Sequence, residues 1–357
     1  MRLVARPNRN SPLRDAMMPV AAVAASLLIC AVLILLAGAN PLTAFGIMAK
    51  AAFWGKFALT ETLARAAPLI LSGLAALVAL RTRFWNSGGE GQITVGAMAA
   101  AWVGALTSLP TPLLIPFMLI GAALAGAALA AVPASLKTRL GVDEVVSTLM
   151  LNFIVMYLMQ ALLSGPWKDP VTGWTNSPSI LRAAEFPVFW KGTRLHLGVL
   201  VAFLAVGVVG VIMKRTTLGL SMKIVGENPR AARHAGLDVT RVTLAAALLS
   251  GALAGLAGAG EIGGIQFQVI ASISSGYGYA GIVVAMLARL SAAGIIPAAL
   301  FIAAITTGAD EMSRQTGVPF FIAVAMQGIC LIAVLVAMTL SRYQLRFRTS
   351  PERRATP

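Results

Sequence analysis

Apolar runs of about the length a helix needs to cross a bilayer recur along this 357-residue chain, and that recurrence leaves it few folds to choose from. Inside hydrocarbon no water satisfies backbone N–H and C=O groups, so each run must close its own hydrogen bonds as a helix. Composition agrees, with 58% hydrophobic and 11% charged residues, far from the usage of soluble domains. The expectation is an all-α polytopic membrane protein.

Ten spans are expected, at about 17–39, 64–80, 92–109, 112–135, 144–164, 196–213, 242–260, 280–296, 297–309 and 318–340. The first follows Arg2, Arg6, Arg9 and Arg14 and ends on Ala37-Gly38-Ala39, superficially like a cleavable leader. Its apolar part is longer than the ~7–15 residues of such a leader, so it reads as a retained helix. The domain plan is an N-terminal tail (1–16), a transmembrane body (17–341) and a basic tail (342–357).

The net charge of +15 does not point to nucleic acid, because the basic residues sit between spans and at the chain ends. With a cytoplasmic N-terminus, alternating crossings place Arg81/Arg83, Lys137/Arg139, the 214–241 loop and the C-terminal tail inside, as positive charge in cytoplasmic loops requires. Membrane lipid is then the partner of the apolar surface, and both termini are cytoplasmic. The segment 165–195 falls outside despite four basic residues; Trp167, Trp174 and Trp190 suit a partly helical interfacial segment. Cys30 and Cys330 lie in apolar runs and read as small hydrophobes.

Between two apolar runs stands "RFWNSGGEGQ" (83–92). Gly-rich, polar chain at membrane depth survives only inside protein or beside a water-filled path. Here the glycines permit a broken or re-entrant helix, and Asn86, Glu90 and Gln92 supply groups for a polar solute or for partner helices. The same residues also suit a cytoplasmic turn with Glu90 near the positive end of the next helix. In "SSGYGYAG" (274–281), Tyr277 and Tyr279 are either ring-stacking path residues or interfacial tyrosines. "SGGEGQITVGAM" (87–98) is faintly echoed by "SGYGYAGIVVAM" (275–286), and Ser72-Gly73 by Ser250-Gly251. If these are copies of one unit, their orientations are inverted, a construction many transporters share.

The loop 214–241 has the pattern of two short helices, Leu218 to Val225 and one opening at Pro229 and stopping near Gly236. With Ala231, Ala232 and Ala235 on one face, it reads as a docking element rather than a merely solvated loop. Asp143 and Glu144 suit a helix N-terminus; Glu261, Arg289, Asp310 and Glu311 need partners or water if they lie in hydrocarbon. His196 and His234 are the only histidines and lie far apart, so neither a metal site nor a catalytic set is expected. No phosphate-cradling G-x-x-x-x-G-K-[ST] occurs.

"FWNSGGEGQ" (84–92), "GVDEVVSTLMLNF" (141–153), "GPWKDP" (165–170), "VGENPRAARHAG" (225–236) and "ADEMSRQTGVP" (309–319) together resemble bacterial ABC importer permeases of the nucleoside and simple-sugar family, the ribose and branched-chain amino acid type. "FWNSGGEGQ" is similar to the family's FNIGAEGQ-type motif, departing at Trp85, Ser87 and Gly89. The resemblance covers about 60–340. It implies a permease subunit of the bacterial inner membrane, working with an ABC ATPase subunit that binds ATP and Mg, a second, related but different permease chain, and an external solute-binding protein. It implies substrate-path roles for Asn86, Glu90, Gln92, Tyr277 and Tyr279. It also implies a coupling role for Gly226, Glu227, Asn228, Pro229, Arg230 and Arg233. Alternating access is the implied mechanism, with nucleosides the first expected solutes. The alternative is an ion-coupled secondary transporter, for which Glu90 is the available titratable group.

Overall fold

The computed structural model describes residues 2–5, 12–106, 110–319 and 343–346, with scattered positions between 321 and 336. They fall into two compact units, one drawn from 1–47 and 309–357, the other formed by 48–308.

In the first unit α1 (Pro12–Leu36) is followed by a turn through Gly38 (φ 82°) into α2 (Pro41–Phe53), whose residues up to Ile47 belong to this unit and where the Asn40 side chain accepts the N–H of Leu42. Ala24–Leu36 and Pro41–Phe53 form a pair bent by 117°. Cys30 is buried, its Sγ 4.0 Å from the carbonyl of Met326. Cys330 lies outside the described residues. Arg2–Ala5 (β1) pairs antiparallel with Tyr343–Arg346 (β2), Arg2 opposite Arg346. These two strands modify the all-helical expectation at the chain ends.

The second unit holds α3 (Lys56–Arg81), α4 (Gly89–Gly104), α5 (Thr111–Ser135), α6 (Glu144–Ser164), α7 (Leu197–Arg215), α8 (Thr217–Glu227), α9 (Pro229–His234), α10 (Val239–Glu261), α11 (Tyr277–Leu287) and the part of α12 (Ala292–Thr316) up to Gly308. Among the described residues α3, α5, α6, α7, α10 and α12 are each long and apolar enough to cross a membrane. The chain is thus a multi-pass helical membrane protein. Two expected spans are corrected: 280–296 and 297–309 are cut instead into the short α11 and the long α12, with the break at 288–291. Pro297 lies near the start of α12, where a missing N–H costs a single helical hydrogen bond. The expected span 318–340 lies largely outside the described residues.

At the centre α10 packs on α3, α4 and α5. Small side chains make this possible: a methyl added at Gly255 would overlap the carbonyl of Ala122, at Gly258 that of Ile93, and at Gly251 that of Gly126. Membrane helices gain little from apolar burial against one another and associate through such close backbone packing. One consequence governs the site: α4 follows α3 in sequence but packs against α10, while α11 follows α10 but packs against α3.

The segment 165–195 is less helical than expected, with a single short turn at Arg182–Ala184. It is fastened to the chain after α10 by main-chain bonds, Phe186 N–H to Gly263 O at 2.7 Å and Ile180 N–H to Phe267 O at 2.8 Å. His196, just before α7, is sealed beneath it. Its Nδ1 accepts the N–H of Gly198 at 3.1 Å and its Nε2 is buried without a hydrogen-bond partner. Burial pushes the imidazole down to about 4. Below the unfolded value of about 6.5 the unfolded chain takes up a proton that the folded chain refuses until about pH 4, so stability falls as pH drops through that window. We expect a loss of about 2 kcal/mol between pH 7.5 and pH 5. Thermal unfolding of wild type and His196→Asn at both pH values checks this: the variant loses that increment of pH dependence, and an unchanged slope refutes it.

Candidate translocation and coupling site

Past Arg81 the chain folds back alongside α3. Asn86 Nδ2 donates to Ser250 Oγ at 2.9 Å, and Ser250 Oγ donates to the carbonyl of Ala75 at 2.8 Å. Ala75 is six residues before Arg81, about 9 Å back along the helix. Thr82, Phe84, Asn86 and Gly88 are therefore tucked into the helical body while Arg83 and Trp85 stay exposed, and α4 starts from within it.

The polar groups of this break satisfy one another. Asn86 and Gln92 exchange two amide hydrogen bonds, both 2.9 Å, and Asn86 Oδ1 also accepts the N–H of Gly88 at 3.1 Å. Asn152 on α6 accepts the N–H of Gly91 at 2.9 Å and donates to Ser87 O at 2.9 Å and to the Tyr279 hydroxyl at 3.2 Å. Buried polar groups that lacked such partners would cost several kcal/mol in aggregate.

Glu90 serves a second helix. Its two carboxylate oxygens accept the N–H groups of Gly276 (2.9 Å) and Gly278 (2.8 Å) at the opening of α11. A carboxylate on unpaired helix-opening N–H groups is favoured by both hydrogen bonding and the helix dipole. A methyl at Gly278 would overlap the backbone of Glu90, so α4 and α11 meet N-terminus to N-terminus at contact distance.

Of the substrate-path candidates, Asn86, Glu90 and Gln92 are buried, Asn86 and Gln92 bonded to each other and Glu90 to α11, while Tyr277 is partly buried and Tyr279 is exposed. Asn152 escaped the sequence reading, although an isolated amide within "LMLNFIVMY" was the available signal.

The other candidates sit together on α8 and α9. Thr216 caps α8 by accepting the N–H of Gly219 at 3.2 Å, and Asn228 caps α9 by accepting those of Arg230 (3.0 Å) and Ala231 (3.2 Å). Met222, Val225 and Ala232 are buried, while Glu227, Asn228, Pro229, Arg230 and Arg233 are exposed. Gly226 is buried against the end of α3, where a methyl would overlap the carbonyl of Arg81. The exposed tip is thus mounted directly on the residue that precedes the polar break. Nearby, Asp143 caps α6 through Val145 (2.8 Å) and Val146 (3.0 Å), and Glu144 pairs with Lys137. Arg289 is exposed in the turn after α11, without a carboxylate partner among the described residues.

Residues 58–339 match the family described as branched-chain amino acid transport system / permease component. The chain is 35% identical to the glucose ABC transporter permease protein TsgB13 of Haloferax volcanii, over 92% of this chain and 89% of that one. It is 33% identical to the guanosine ABC transporter permease protein NupP of Bacillus subtilis, over 93% and 94%. Identity to the nucleoside ABC transporter permease protein NupB of Lactococcus lactis is 30%, over 87% and 88%. With a polar break inside a multi-pass helical body and an exposed helical loop mounted behind it, the chain belongs to this permease family and is the membrane subunit of an ATP-binding cassette importer, whose ATP hydrolysis resides in a separate polypeptide.

Proposed function

We propose that this subunit forms part of the path by which nucleosides, or failing those simple sugars, enter a bacterial cell across its cytoplasmic membrane. The observation that carries the reading is the junction of α4 and α11. Two short helices end inside the body, and Tyr279 and the polar rim of the break lie beside them, as in solute sites built from discontinuous helices. The substrate class rests on NupP and NupB, whose names specify guanosine and nucleosides, and on TsgB13 for the sugars.

In this reading the body makes ten crossings, with α4 and α11 as short members of two inverted repeats. The echo between 87–98 and 275–286 supports it, since both helices start two residues into their copy. Both termini are cytoplasmic, which the pairing of β1 with β2 supports by keeping the two ends on one side. The ATPase subunit, carrying ATP and Mg, docks on the exposed tip of α8 and α9 through Glu227, Asn228, Pro229, Arg230 and Arg233. A second, related permease chain completes the path, and an external solute-binding protein delivers solute to the face bearing 165–195. ATP-driven closure favours one arrangement of the loop over the other, and the body follows by alternating access.

Reconstitution in liposomes tests this. With the partner permease, ATPase and solute-binding protein present, uptake of guanosine or adenosine is expected to require ATP and to exceed glucose uptake. Uptake that persists without ATP and follows an imposed proton or sodium gradient overturns it in favour of a secondary transporter. ATP-dependent uptake of glucose alone reverses the substrate order.

A further inference from the structure

One residue touches both the coupling loop and the far end of the broken-helix pair. The carbonyl of Arg81, at the end of α3, lies in van der Waals contact with the Gly226 backbone of α8, a contact too close to admit a side chain. Its guanidinium reaches the other way, Nη2 donating at 2.6 Å to the carbonyl of Leu290. That carbonyl belongs to the turn closing α11, in which Arg289 (φ 53°) and Leu290 (φ 56°) both take the left-handed backbone that non-glycine residues avoid. Strained turns of this kind persist only where surrounding contacts over-determine them. The turn's own bonds, Arg289 N–H to Met286 O and Leu290 N–H to Ala285 O, leave the outward carbonyl of Leu290 to Arg81. A cation there also suits the negative end of α11.

At its other end α11 is held by Glu90. The helix, about 16 Å long, is therefore fixed at one end to the coupling loop through Arg81 and at the other to α4 through Glu90. Resting on the transport reading above, we propose that Arg81 is a positioning residue that passes movement of α8 and α9 to α11, which acts as a strut displacing Glu90 and the opening of α4. A purely local motion of residues 82–86 would instead bypass α11. In the strut arrangement Arg81 contacts no solute and no nucleotide; it sets how much motion reaches the break.

Arg81→Met removes the bond to Leu290 and keeps the bulk of the side chain; Arg81→Lys restores a charged donor. In the full chain in nanodiscs, hydrogen exchange over 277–290 is expected to rise tenfold or more in Arg81→Met and less in Arg81→Lys, with 239–261 unchanged. In the complete transporter Arg81→Met is expected to keep ATP hydrolysis within twofold while solute moved per ATP falls about tenfold, with partial recovery in Arg81→Lys. Exchange that does not change, or exchange that rises while solute per ATP stays constant, overturns the proposal. Should Arg81→Met fail to fold, Arg81→Lys carries the same two measurements. Wild-type uptake without ATP is a different failure, that of the transport reading, and leaves the exchange result standing.

Discussion

Gly226→Ala is expected to abolish most transport while leaving the chain inserted and folded. The added methyl would occupy the space of the Arg81 carbonyl oxygen, which is backbone and cannot swing aside. Either α8 lifts from the end of α3 or the end of α3 shifts, and both outcomes loosen the mounting of the proposed coupling tip. Gly226 stands in the last turn of α8 without left-handed backbone, so alanine strains nothing within α8 itself and the substitution tests the contact with Arg81. A drop of at least tenfold in solute moved per ATP, at normal assembly and a largely preserved ATPase rate, is the expected outcome. Normal coupling in Gly226→Ala would mean that the Gly226 contact transmits nothing.

Glu90→Ala is expected to be the most damaging single change at the break. It strips acceptors from the N–H groups of Gly276 and Gly278. Hydrogen bonds to a charged group contribute about 1.5–3 kcal/mol each, and buried donors left unpaired cost a similar amount. A loss of about 3 kcal/mol or more in unfolding free energy is expected, with no measurable uptake. Glu90→Gln retains one acceptor and is expected to fall between. Denaturant titration in detergent, beside uptake assays, separates the possibilities. A Glu90→Ala chain as stable as wild type but inactive would place Glu90 in contact with the solute instead of with α11.

Much of this was legible in the sequence where the controlling physics is local. The runs behind α5, α6, α7 and α10 are continuous stretches of apolar residues, and helix ends at Asp143, Asn228 and Pro229 follow from capping chemistry that involves neighbours within three residues. The polar break at 86–92 was visible because amides and glycines interrupt hydrophobic chain. The break between α11 and α12 was marked in the sequence only by Arg289 and Ser291 in "ARLS", and its position comes from left-handed backbone at Arg289 and Leu290 that no residue type there announces. The exchange of packing partners between α4 and α11 was not legible, since it depends on glycine faces far apart in sequence. Glu90 illustrates the limit best: its residue type suggested chemistry at the break, but its partners lie 186 and 188 residues away.

The N-to-N meeting of α4 and α11 also has an electrical meaning. Each helix opening carries roughly half an elementary positive charge, and two of them brought together amount to about one. When ionised, the Glu90 carboxylate, lying between them, cancels that charge almost on the spot, leaving a centre that is polar yet close to neutral. Under the proposed function, an uncharged solute would meet no fixed net charge at this junction. Because that neutrality comes from the Glu90 side chain, Glu90→Gln leaves the junction net positive.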